Sequence, residues 1–461
     1  MIQCPANFPH EVFELAISQL IHHPEYNSTL ILRSEIVSES ATDFPPGIPT
    51  LDGFRAVRNI HRRLLPRRPG RDAGLEQHCT LYTAEPGDDD RPVLLVLTPI
   101  VEPAAPLPYY HPAVSYLAFR YIAAEVPLLR IEVVALPSTP TGLDSRLYRT
   151  CLALLDTLHR YGWGAVTNYK KRVHHDCIIP REAYQDLYLV MRERHKHLVN
   201  EWQEVTDPLK HVFEDIGIAT FLMLLWKESY RSEREGSFSS EECQDLTVAP
   251  WKNWPRPPGG FLDLGCGNGL LTHILTAEGY EGHGIDVRAR TSWSHYPEAT
   301  RERLHTESMD PTELVDSDGL LRTHPYLHEG VFIIANHADE LTPWTPVLAT
   351  LFSASGYLSI PCCAWAFDES LNLGGDGSNA SSYSRYRIWL ATLSLHCGWQ
   401  VECETLRIPS TRNWAIIGRN HAAGAQGEVE NAKMRALEII YRVQERGLFK
   451  ARIPEGKVKD H

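Results

Sequence analysis

The chain has 461 residues, of which 43% are hydrophobic and 22% charged, and its formal net charge at pH 7 is −13. This composition is typical of a soluble globular protein with two or three domains, and the acidic total argues against indiscriminate binding to nucleic acid. No apolar run approaches the roughly 18 residues that a membrane-spanning helix needs, and the first residues lack the features of a signal peptide. We therefore expect an intracellular protein with no membrane association.

The ten cysteines are scattered along the chain without a C-x-x-C pair. This spacing favours neither a zinc site nor a framework of disulfides, so we predict no bound metal. The neighbours Cys362 and Cys363 are interpreted as small buried residues.

Residues 1–160 are predicted to form a separate N-terminal α/β region. Residues 92–98 and 128–136 have the continuous apolar pattern of buried strands, and residues 144–161 carry apolar side chains at helical spacing. The proline-rich stretch 99–112 between the two strands is predicted to be an extended loop.

Two clusters of basic residues stand out in this acidic chain. The first consists of Arg58, Arg62, Arg63, Arg67, Arg68 and Arg71, and the second of Lys170, Lys171 and Arg172. Either cluster alone is typical of a solvated surface helix and loop. Because both lie outside the glycine motif described below, together they favour a polyanionic substrate, with Arg67, Arg68 and the second cluster as its contacts.

Residues 165–230 are predicted to be a helical connector that packs on the domain that follows. Residues 181–203 have the pattern of a charged amphipathic helix. Residues 231–250 are rich in serine and glutamate and are predicted to be a surface linker.

A second helix of the connector has clear start features. Thr206 or Asp207 can cap it, and Pro208 occupies its first turn. Because residues 216–226 are apolar on all sides, we predict that this helix is buried.

The most informative motif is a short apolar strand, residues 261–264, followed by Gly265, Gly267 and Gly269 and then by a helix. Glycines at a strand-to-helix turn let a ligand approach the main chain and the helix N-terminus closely. A second strand ends at Asp286, whose carboxylate can accept hydrogen bonds from both hydroxyls of a ribose. The motif therefore predicts a ribose-containing ligand.

The spacing of the glycines distinguishes between ribose compounds. A dinucleotide site requires G-x-G-x-x-G, whereas this chain has G-x-G-x-G preceded by Asp263. The pattern resembles motif I of class I S-adenosylmethionine methyltransferases, and the resemblance implies that Asp263 faces the amino group of the methionine moiety. We therefore predict a class I, Rossmann-like methyltransferase domain with S-adenosylmethionine as cofactor. The structural alternative is a glycine turn in an ordinary β-α-β unit.

Alternating strand and helix patterns extend this domain over residues 251–420. A predicted strand at residues 304–309 ends at Asp310, a candidate adenine contact, and another at residues 330–335 ends at Asn336. The other predicted elements are a strand at residues 357–360, a helix at residues 383–396, a hairpin of residues 401–408 and 414–418, and a C-terminal helix and tail over residues 421–461. This order predicts a mostly parallel sheet with helices on both faces and ligands at the carboxyl ends of its strands.

Six strings make the comparison more specific: DLGCGNGLL, EGYEGHGIDVRARTSW, TDPLKHVFEDIGIATFLMLLW, IIANHADELTPWTP, SIPCC and LRIPSTRNWAIIG. Together they resemble the eukaryotic tRNA (uracil-2′-O-)-methyltransferase family that modifies uridine 44 of serine tRNA. The resemblance covers most of the chain. It implies methyl transfer from S-adenosylmethionine to a uridine ribose in serine tRNA, a cytoplasmic setting and an accessory tRNA-binding protein as partner.

A ribose 2′-hydroxyl is a poor nucleophile at neutral pH, so its methylation needs in-line positioning and a group that takes or shares its proton. Asp339, just beyond the strand that ends at Asn336, is the best-placed acid, and His337 is the alternative base. Lys210 is a third candidate, although no lysine follows the SIPCC strand, as it does in the Lys-Asp-Lys-Glu set of other ribose methyltransferases. The structural alternatives are a helix cap for Asp339 and ordinary polar positions for His337 and Lys210.

Arg288, Arg290 and Arg412 are further candidates for substrate contacts, because a guanidinium can bind a phosphate through two parallel hydrogen bonds. Two other functions stay open. The chain could methylate a protein or a small molecule, or it could be a non-catalytic module of an RNA-processing complex that keeps the cofactor fold. The intact Asp263, glycine turn and Asp286 argue against a non-catalytic module.

Overall fold

The computed structural model describes residues 1–85, 91–102, 105–168, 175–231, 249–316, 319–367, 369–370, 381–421, 426–447 and 449. The chain divides into two compact units after residue 171. Lys170, Lys171 and Arg172 lie outside the described residues, as do residues 232–248 of the predicted linker. None of the helices in the described ranges combines the length and the apolar character of a membrane span.

The described part of the first unit contains an antiparallel sheet and two longer helices. The strands are β1 (Ile2–Pro5), β2 (Ile31–Ser40), β3 (Phe54–Pro66), β4 (Leu75–Ala84), β5 (Leu94–Ile100), β6 (Val114–Ile122) and β7 (Leu128–Ala135), and the helices are α1 (Phe13–His22) and α2 (Arg146–Val166). The strand order is β1-β7-β6-β5-β4-β3-β2, with every neighbouring pair antiparallel. The predicted strands at residues 92–98 and 128–136 and the predicted helix at residues 144–161 are confirmed as β5, β7 and α2.

The helices α1 and α2 cover one face of this sheet. Phe13 and Ile17 of α1 and Leu155 and Leu158 of α2 are buried in one apolar core with strand residues such as Phe119. Burial of these side chains supplies the main driving force for docking the helices on the sheet.

The arginines between residues 58 and 63 lie on β3. This strand pairs with β2 on one side and with β4 on the other, so successive side chains point to opposite faces of the sheet. Arg62 is only 3% exposed, whereas Arg58 and Arg63 form ion pairs with nearby glutamates. The interpretation of this stretch as a solvated helix and loop is therefore wrong.

The second unit contains the glycine motif. Its helices are α3 (Arg181–His195), α4 (Pro208–Ser229), α5 (Leu270–Ala277), α6 (Glu298–Arg301), α7 (Trp344–Leu351), α8 (Ser382–His396) and α9 (Gln426–Arg446). Its strands are β8 (Phe261–Leu264), β9 (Gly282–Asp286), β10 (Leu304–Thr306), β11 (Phe332–Asn336), β12 (Gly356–Ile360), β13 (Trp365–Ala366), β14 (Glu369–Ser370), β15 (Trp399–Thr405) and β16 (Trp414–His421).

The main sheet of this unit has the order β10-β9-β8-β11-β12-β16-β15. The pairs from β10 to β12 are parallel, and β16 and β15 form an antiparallel hairpin at one edge. One face of the sheet packs against α3, α4 and α5, and the other packs against α7, α8 and α9. The predicted mostly parallel sheet with helices on both faces and a terminal hairpin is confirmed.

The helix α4 is buried, as its apolar pattern predicts. The carboxylate of Asp207 accepts a hydrogen bond from the Leu209 N–H at 3.0 Å, and Pro208 begins the helix. Trp226 near its C-terminal end is fully buried against Phe261 and Phe332 of the sheet. This packing fixes the first half of α4 beside the ends of the central strands.

Candidate active site

A cavity of about 340 Å³ opens at the carboxyl ends of the parallel strands, and we call it the site cavity. Its walls come from the glycine turn after β8, the ends of β9 and β11, the segment after β10, the first half of α4 and the loop between β15 and β16. Of the residues predicted from the sequence, the site cavity is lined by Asp263, Gly265, Gly267, Asp286, Asn336, His337, Asp339, Lys210 and Arg290.

The glycine turn depends on main-chain conformations that other residues rarely adopt. Gly267 has a φ of +55°, and Gly269, the N-cap residue of α5, has a φ of +76°. A Cβ on Gly269 would lie 2.8 Å from Leu304, whereas a Cβ on Gly267 would meet no atom within 4 Å. Gly269 is therefore needed for packing, and Gly267 leaves the main chain open toward a ligand.

Asp286, the last residue of β9, contacts this turn. Its Oδ2 accepts a hydrogen bond from the Gly267 N–H at 2.9 Å, and its Oδ1 accepts one from the Arg288 N–H at 3.3 Å. The Trp293 indole N–H donates to the Gly267 carbonyl at 2.9 Å. Because each carboxylate oxygen can accept more than one hydrogen bond, Asp286 braces the turn and still has capacity for the hydroxyls of a ligand.

Two buried carboxyls lie deeper in the site cavity. Burial raises the pKa of Asp263 to about 7, an effect that the Thr272 hydroxyl opposes by donating a hydrogen bond at 2.9 Å and that the charge of Asp286 reinforces. Burial, together with the charges of Glu214 and Asp263, raises the pKa of Asp215 well above its usual range. Strongly perturbed pKa values of this kind cluster at functional sites.

Several polar atoms of the site cavity are buried without a hydrogen-bond partner among the described residues. They include Oδ1 of Asn336, at the end of β11, Nε of Arg290 and Nδ1 of His337. Since buried polar atoms in native proteins are nearly always satisfied, these atoms are available to hydrogen-bond a bound group.

The three predicted catalytic residues all line the site cavity, but their surroundings differ. Lys210 is exposed on α4. The Nε2–H of His337 donates to Oε1 of Glu214 at 3.4 Å, and its Nδ1 is buried with no partner in the described part of the chain. Oδ1 of Asp339 accepts a hydrogen bond from the Cys362 thiol at 3.2 Å.

His337 and Asp339 both have left-handed main-chain conformations, with φ values of +56° and +47°. Strained conformations of this kind cluster at functional sites. The N-cap residue of the short 3-10 helix Asp339–Leu341 is Ala338, so the predicted alternative of Asp339 as its N-cap is not observed.

Glu214 is a site residue that the sequence patterns did not identify. It is 4% exposed, and burial would raise its pKa, but hydrogen bonds from His337 and Ser410 and the charges of His337 and Lys210 hold that pKa below its ordinary value. Glu214 is therefore a buried anion that can orient the His337 ring. The useful sequence feature was its position four residues after Lys210, which places both side chains on one side of a helix.

Cys362 and Cys363 follow β12 beside Asp339. The interpretation of both as buried residues is wrong, because Cys362 is only partly buried and Cys363 is exposed. Burial, with the hydrogen bond and charge of Asp339, raises the pKa of the Cys362 thiol. The ligand atoms of Asp339, Cys362 and Cys363 lie within 4.8 Å of one another, a grouping that C-x-x-C spacing could not anticipate.

Among the described residues of the second unit, four predicted contact residues do not line the site cavity: Gly269, Asp310, Arg288 and Arg412. The Asp310 carboxylate caps the 3-10 helix Pro311–Leu314 by accepting hydrogen bonds from the N–H and hydroxyl of Thr312. The segment 307–309 lines the cavity in its place. The predicted strand end at Asp310 therefore indicated this part of the cavity wall with an error of one to three residues.

Arg412 is exposed on the loop between β15 and β16. Its guanidinium lies 4.1 Å from the centre of the Tyr383 ring, and the Tyr383 hydroxyl donates to the Pro361 carbonyl at 3.0 Å. Pro361 directly precedes Cys362, so a cation and an aromatic ring lie next to the Asp339 corner of the site cavity.

The first unit keeps part of the predicted basic cluster exposed. Arg67, Arg68 and Arg71 follow β3, are exposed, and have no ion pair within the described residues. The Nε–H of Arg67 donates to the Ile31 carbonyl at 3.2 Å, which fixes the start of its side chain.

Two family models match the chain. The model described as "TRM44-like, N-terminal bet v1-like domain" matches residues 1–172, and the model described as "Predicted AdoMet-dependent methyltransferase" matches residues 178–249 and 246–311. No solved structure matches the chain.

Several proteins named tRNA (uracil-O(2)-)-methyltransferase match most of the chain. The Schizosaccharomyces pombe protein is 36% identical over 446 residues, which cover 89% of this chain and 82% of that protein. The Neurospora crassa protein is 34% identical, covering 91% and 85%, and the Eremothecium gossypii protein is 32% identical, covering 90% and 88%. These similarities confirm the resemblance found in the sequence strings: the chain belongs to the tRNA (uracil-O(2)-)-methyltransferase family.

Proposed function

We propose that this chain transfers a methyl group from S-adenosylmethionine to the 2′-hydroxyl of a uridine in tRNA. The proposal is supported by the activity in the names of its relatives and by a methyltransferase family model over the glycine motif. The observation that carries it is that one cavity is lined both by the candidate cofactor contacts, Asp286 and Asn336, and by the candidate proton acceptors, His337 and Asp339.

We also propose that the second unit is a class I, Rossmann-like methyltransferase domain. In support, its strand order reverses direction between β8 and β11, and the site cavity lies outside the carboxyl ends of these strands. Ligands of doubly wound sheets bind at such a switch point.

The residues of the site cavity fit S-adenosylmethionine. The open space over Gly267 and the unpartnered Oδ1 of Asn336 are the observations that support this fit. Asp286 would accept hydrogen bonds from the ribose hydroxyls, and Asp263 would balance the charge of the amino group. When bound, the cofactor supplies an electrophilic methyl group on a positively charged sulfur.

The protein residues then have to position the 2′-hydroxyl and receive its proton. We assign proton acceptance to Asp339, which lines the site cavity and adjoins the Arg412 and Tyr383 pair. His337, with its Nε2–H held by the buried Glu214, is the second candidate. No covalent intermediate with the protein is needed, so catalysis depends on position and proton transfer.

The remaining parts of the proposal concern the substrate. Arg290 at the site cavity and Arg412 beside it are suited to phosphate groups near the target ribose. The exposed Arg288, Arg67 and Arg68 are suited to other phosphates of the substrate. Serine tRNA, its position 44, a cytoplasmic setting and an accessory tRNA-binding protein rest on the family resemblance alone.

The decisive substrate experiment is incubation with labelled S-adenosylmethionine and total unmodified tRNA, followed by nucleoside analysis. We expect labelled 2′-O-methyluridine from one class of tRNA. Label in protein or in a small molecule would instead support the alternative substrates, and absence of transfer despite cofactor binding would support a non-catalytic module.

Asp339→Asn tests the catalytic assignment. Asparagine adopts a left-handed conformation as readily as aspartate, so the variant should keep its fold at φ +47°. We expect unchanged affinity for cofactor and tRNA but a single-turnover rate lower by about 10²–10⁴-fold, the usual contribution of a positioned proton acceptor.

The matched control is His337→Asn, because His337 has a φ of +56° and asparagine again fits. If Asp339→Asn methylates at a nearly normal rate and His337→Asn does not, the proton acceptor is His337 and the assignment to Asp339 is refuted.

A further inference from the structure

Two arginines and two aromatic rings alternate where α8 packs beside the hairpin of β15 and β16. The guanidinium of Arg412 lies 4.1 Å from the centre of the Tyr383 ring. The guanidinium of Arg387 lies 5.6 Å from the centre of the same ring and 4.3 Å from that of the Trp414 ring. We call these four side chains the stacking platform. Planar guanidinium groups and aromatic rings are the protein surfaces on which unpaired RNA bases stack.

The arginines of the stacking platform lack the carboxylate partners that other arginines of the hairpin have. Arg407, on the same loop as Arg412, and Arg419, in β16, each bind one carboxylate through two nitrogens. Within the described residues, Arg387 and Arg412 form no ion pair, and Nε of Arg387 is buried without a hydrogen-bond partner. The stacking platform therefore carries positive charge that can attract the phosphates of RNA.

The stacking platform adjoins the Asp339 corner of the site cavity. The Tyr383 hydroxyl donates to the Pro361 carbonyl at 3.0 Å, and the thiol of the residue after Pro361 donates to Asp339 at 3.2 Å. Ser410, whose hydroxyl accepts a hydrogen bond from the Arg412 main-chain N–H at 3.2 Å, lines the cavity itself. In a nucleotide, the base is attached to the carbon next to the one that carries the 2′-hydroxyl. A 2′-hydroxyl placed at Asp339 therefore brings its own base, or the next one, toward the platform.

Exposure distinguishes the stacking platform from an ordinary packing of aromatic rings. Tyr386, one turn further along α8, is fully buried and stacks on Trp389 with the ring centres 5.8 Å apart. Tyr383 is only partly buried, and Arg412 beside it is exposed. The Tyr383 ring therefore supports one face of a guanidinium that solvent, or a ligand, can reach.

We propose that an unpaired base of the RNA substrate stacks on the Arg412 guanidinium and that Tyr383 positions this guanidinium. The base belongs to the methylated nucleotide or to one of its immediate neighbours. The N–H groups at the edge of the guanidinium stay available for a phosphate, because stacking uses only its face. The inference rests on the proposed function, since it takes RNA as the substrate.

The first test measures the affinity of the full chain for unmodified tRNA in the presence of S-adenosylhomocysteine. Arg412→Lys keeps the charge but removes the planar group, so we expect an affinity about tenfold lower, as for the lost stacking of one base, with an unchanged salt slope. Arg412→Ala should also reduce the log–log salt slope by about 1. Arg442→Ala is the control, because Arg442 is an exposed arginine of α9 outside the platform, and its affinity should equal that of the wild type.

Two variants test the positioning role of Tyr383. Tyr383→Leu removes the ring and should lower the affinity for tRNA by about tenfold, the same loss as in Arg412→Lys. Tyr383→Phe keeps the ring and should bind tRNA at least about fivefold more tightly than Tyr383→Leu. Equal affinities of these two variants would contradict the support of Arg412 by the ring.

A double-mutant cycle between protein and RNA separates stacking from a purely structural role. The RNA carries an abasic ribonucleotide at the methylated position or at one of its two neighbours. At one of these three positions, Arg412→Lys should cause no further loss of affinity, because the base that it would stack is already absent. Wild-type affinity in Arg412→Lys, or a loss that persists on all three abasic RNAs, would overturn the inference and leave the proposed function intact. A wild-type chain that neither binds nor methylates tRNA would overturn both.

Discussion

Replacing Asp286 by alanine should abolish useful cofactor binding while leaving a folded protein. In the proposed site, the carboxylate accepts two hydrogen bonds from ribose hydroxyls, and bonds to a charged acceptor contribute about 1.5–3 kcal/mol each. Their loss amounts to about 3–6 kcal/mol, or about 10²–10⁴-fold in the dissociation constant of S-adenosylhomocysteine.

The same carboxylate also accepts the Gly267 N–H at 2.9 Å, so Asp286→Ala removes a hydrogen bond of the free protein as well. That bond lies at the edge of an open cavity, where water can replace it, and we expect a stability loss of only about 0.5–1.5 kcal/mol. Asp286→Asn separates the two effects, because its amide oxygen can still accept from Gly267. We expect near-normal stability but an affinity about 10–100-fold lower.

Calorimetric titration with S-adenosylhomocysteine and thermal unfolding of each variant measure the two quantities. Asp310→Ala is the control, because Asp310 also follows a strand but does not line the site cavity. This variant removes a helix cap, which costs about 1 kcal/mol of stability. Wild-type affinity in Asp286→Ala, or a loss in Asp310→Ala as large as in Asp286→Ala, would refute the assignment of the ribose contact.

Two further predictions concern charge. Burial raises the pKa of Asp263 from 3.8 to about 7, so between these pH values the folded protein keeps a proton that the unfolded chain has released. The contribution of Asp263 to the free energy of unfolding therefore falls as pH rises from 3.8 to about 7. A ligand amino group needs the ionised carboxylate, so the affinity for S-adenosylhomocysteine should rise with pH up to about 7. This rise should be flattened in Asp263→Asn. A wild-type affinity that does not change with pH would contradict the role of Asp263. Arg67→Ala combined with Arg68→Ala should weaken tRNA binding and reduce the log–log salt slope by about 1 for each phosphate that the variant no longer binds, with cofactor affinity unchanged; an identical slope would mean that these exposed arginines do not bind the tRNA backbone.

The cofactor half of the site could be predicted because its determinants are local. The glycine turn and Asp286 each sit at the end of a short apolar strand, and parallel strands place such ends at one edge. Glu214 and Asp215 could not be predicted in the same way. The apolar pattern of α4 predicts that this helix is buried, but the pattern does not specify which strand ends the helix contacts.

Most of the antiparallel sheet in the first unit was not identified for a related reason. β3 carries arginines at positions that a surface strand or helix would also allow, and Arg62 is buried only because Gln77 and the end of α1 supply acceptors from distant parts of the chain. Sequence patterns reflect the average preference of a residue type for the surface or the interior. An arginine is buried, against that average, only where other residues supply hydrogen-bond acceptors for it.

The position of α4 limits how the protein can be divided. A fragment that begins at residue 251 would contain the glycine motif and every strand of the second sheet, but not Lys210, Glu214 or Asp215. It would also expose the face of the sheet around Phe261 and Phe332 that Trp226 covers. Such a fragment would be prone to aggregation, and its failure to bind cofactor would carry no information about the enzyme. Separate expression of the second unit has to begin before α3, at the boundary near residue 172, so that the helices which complete the cavity are synthesised with it.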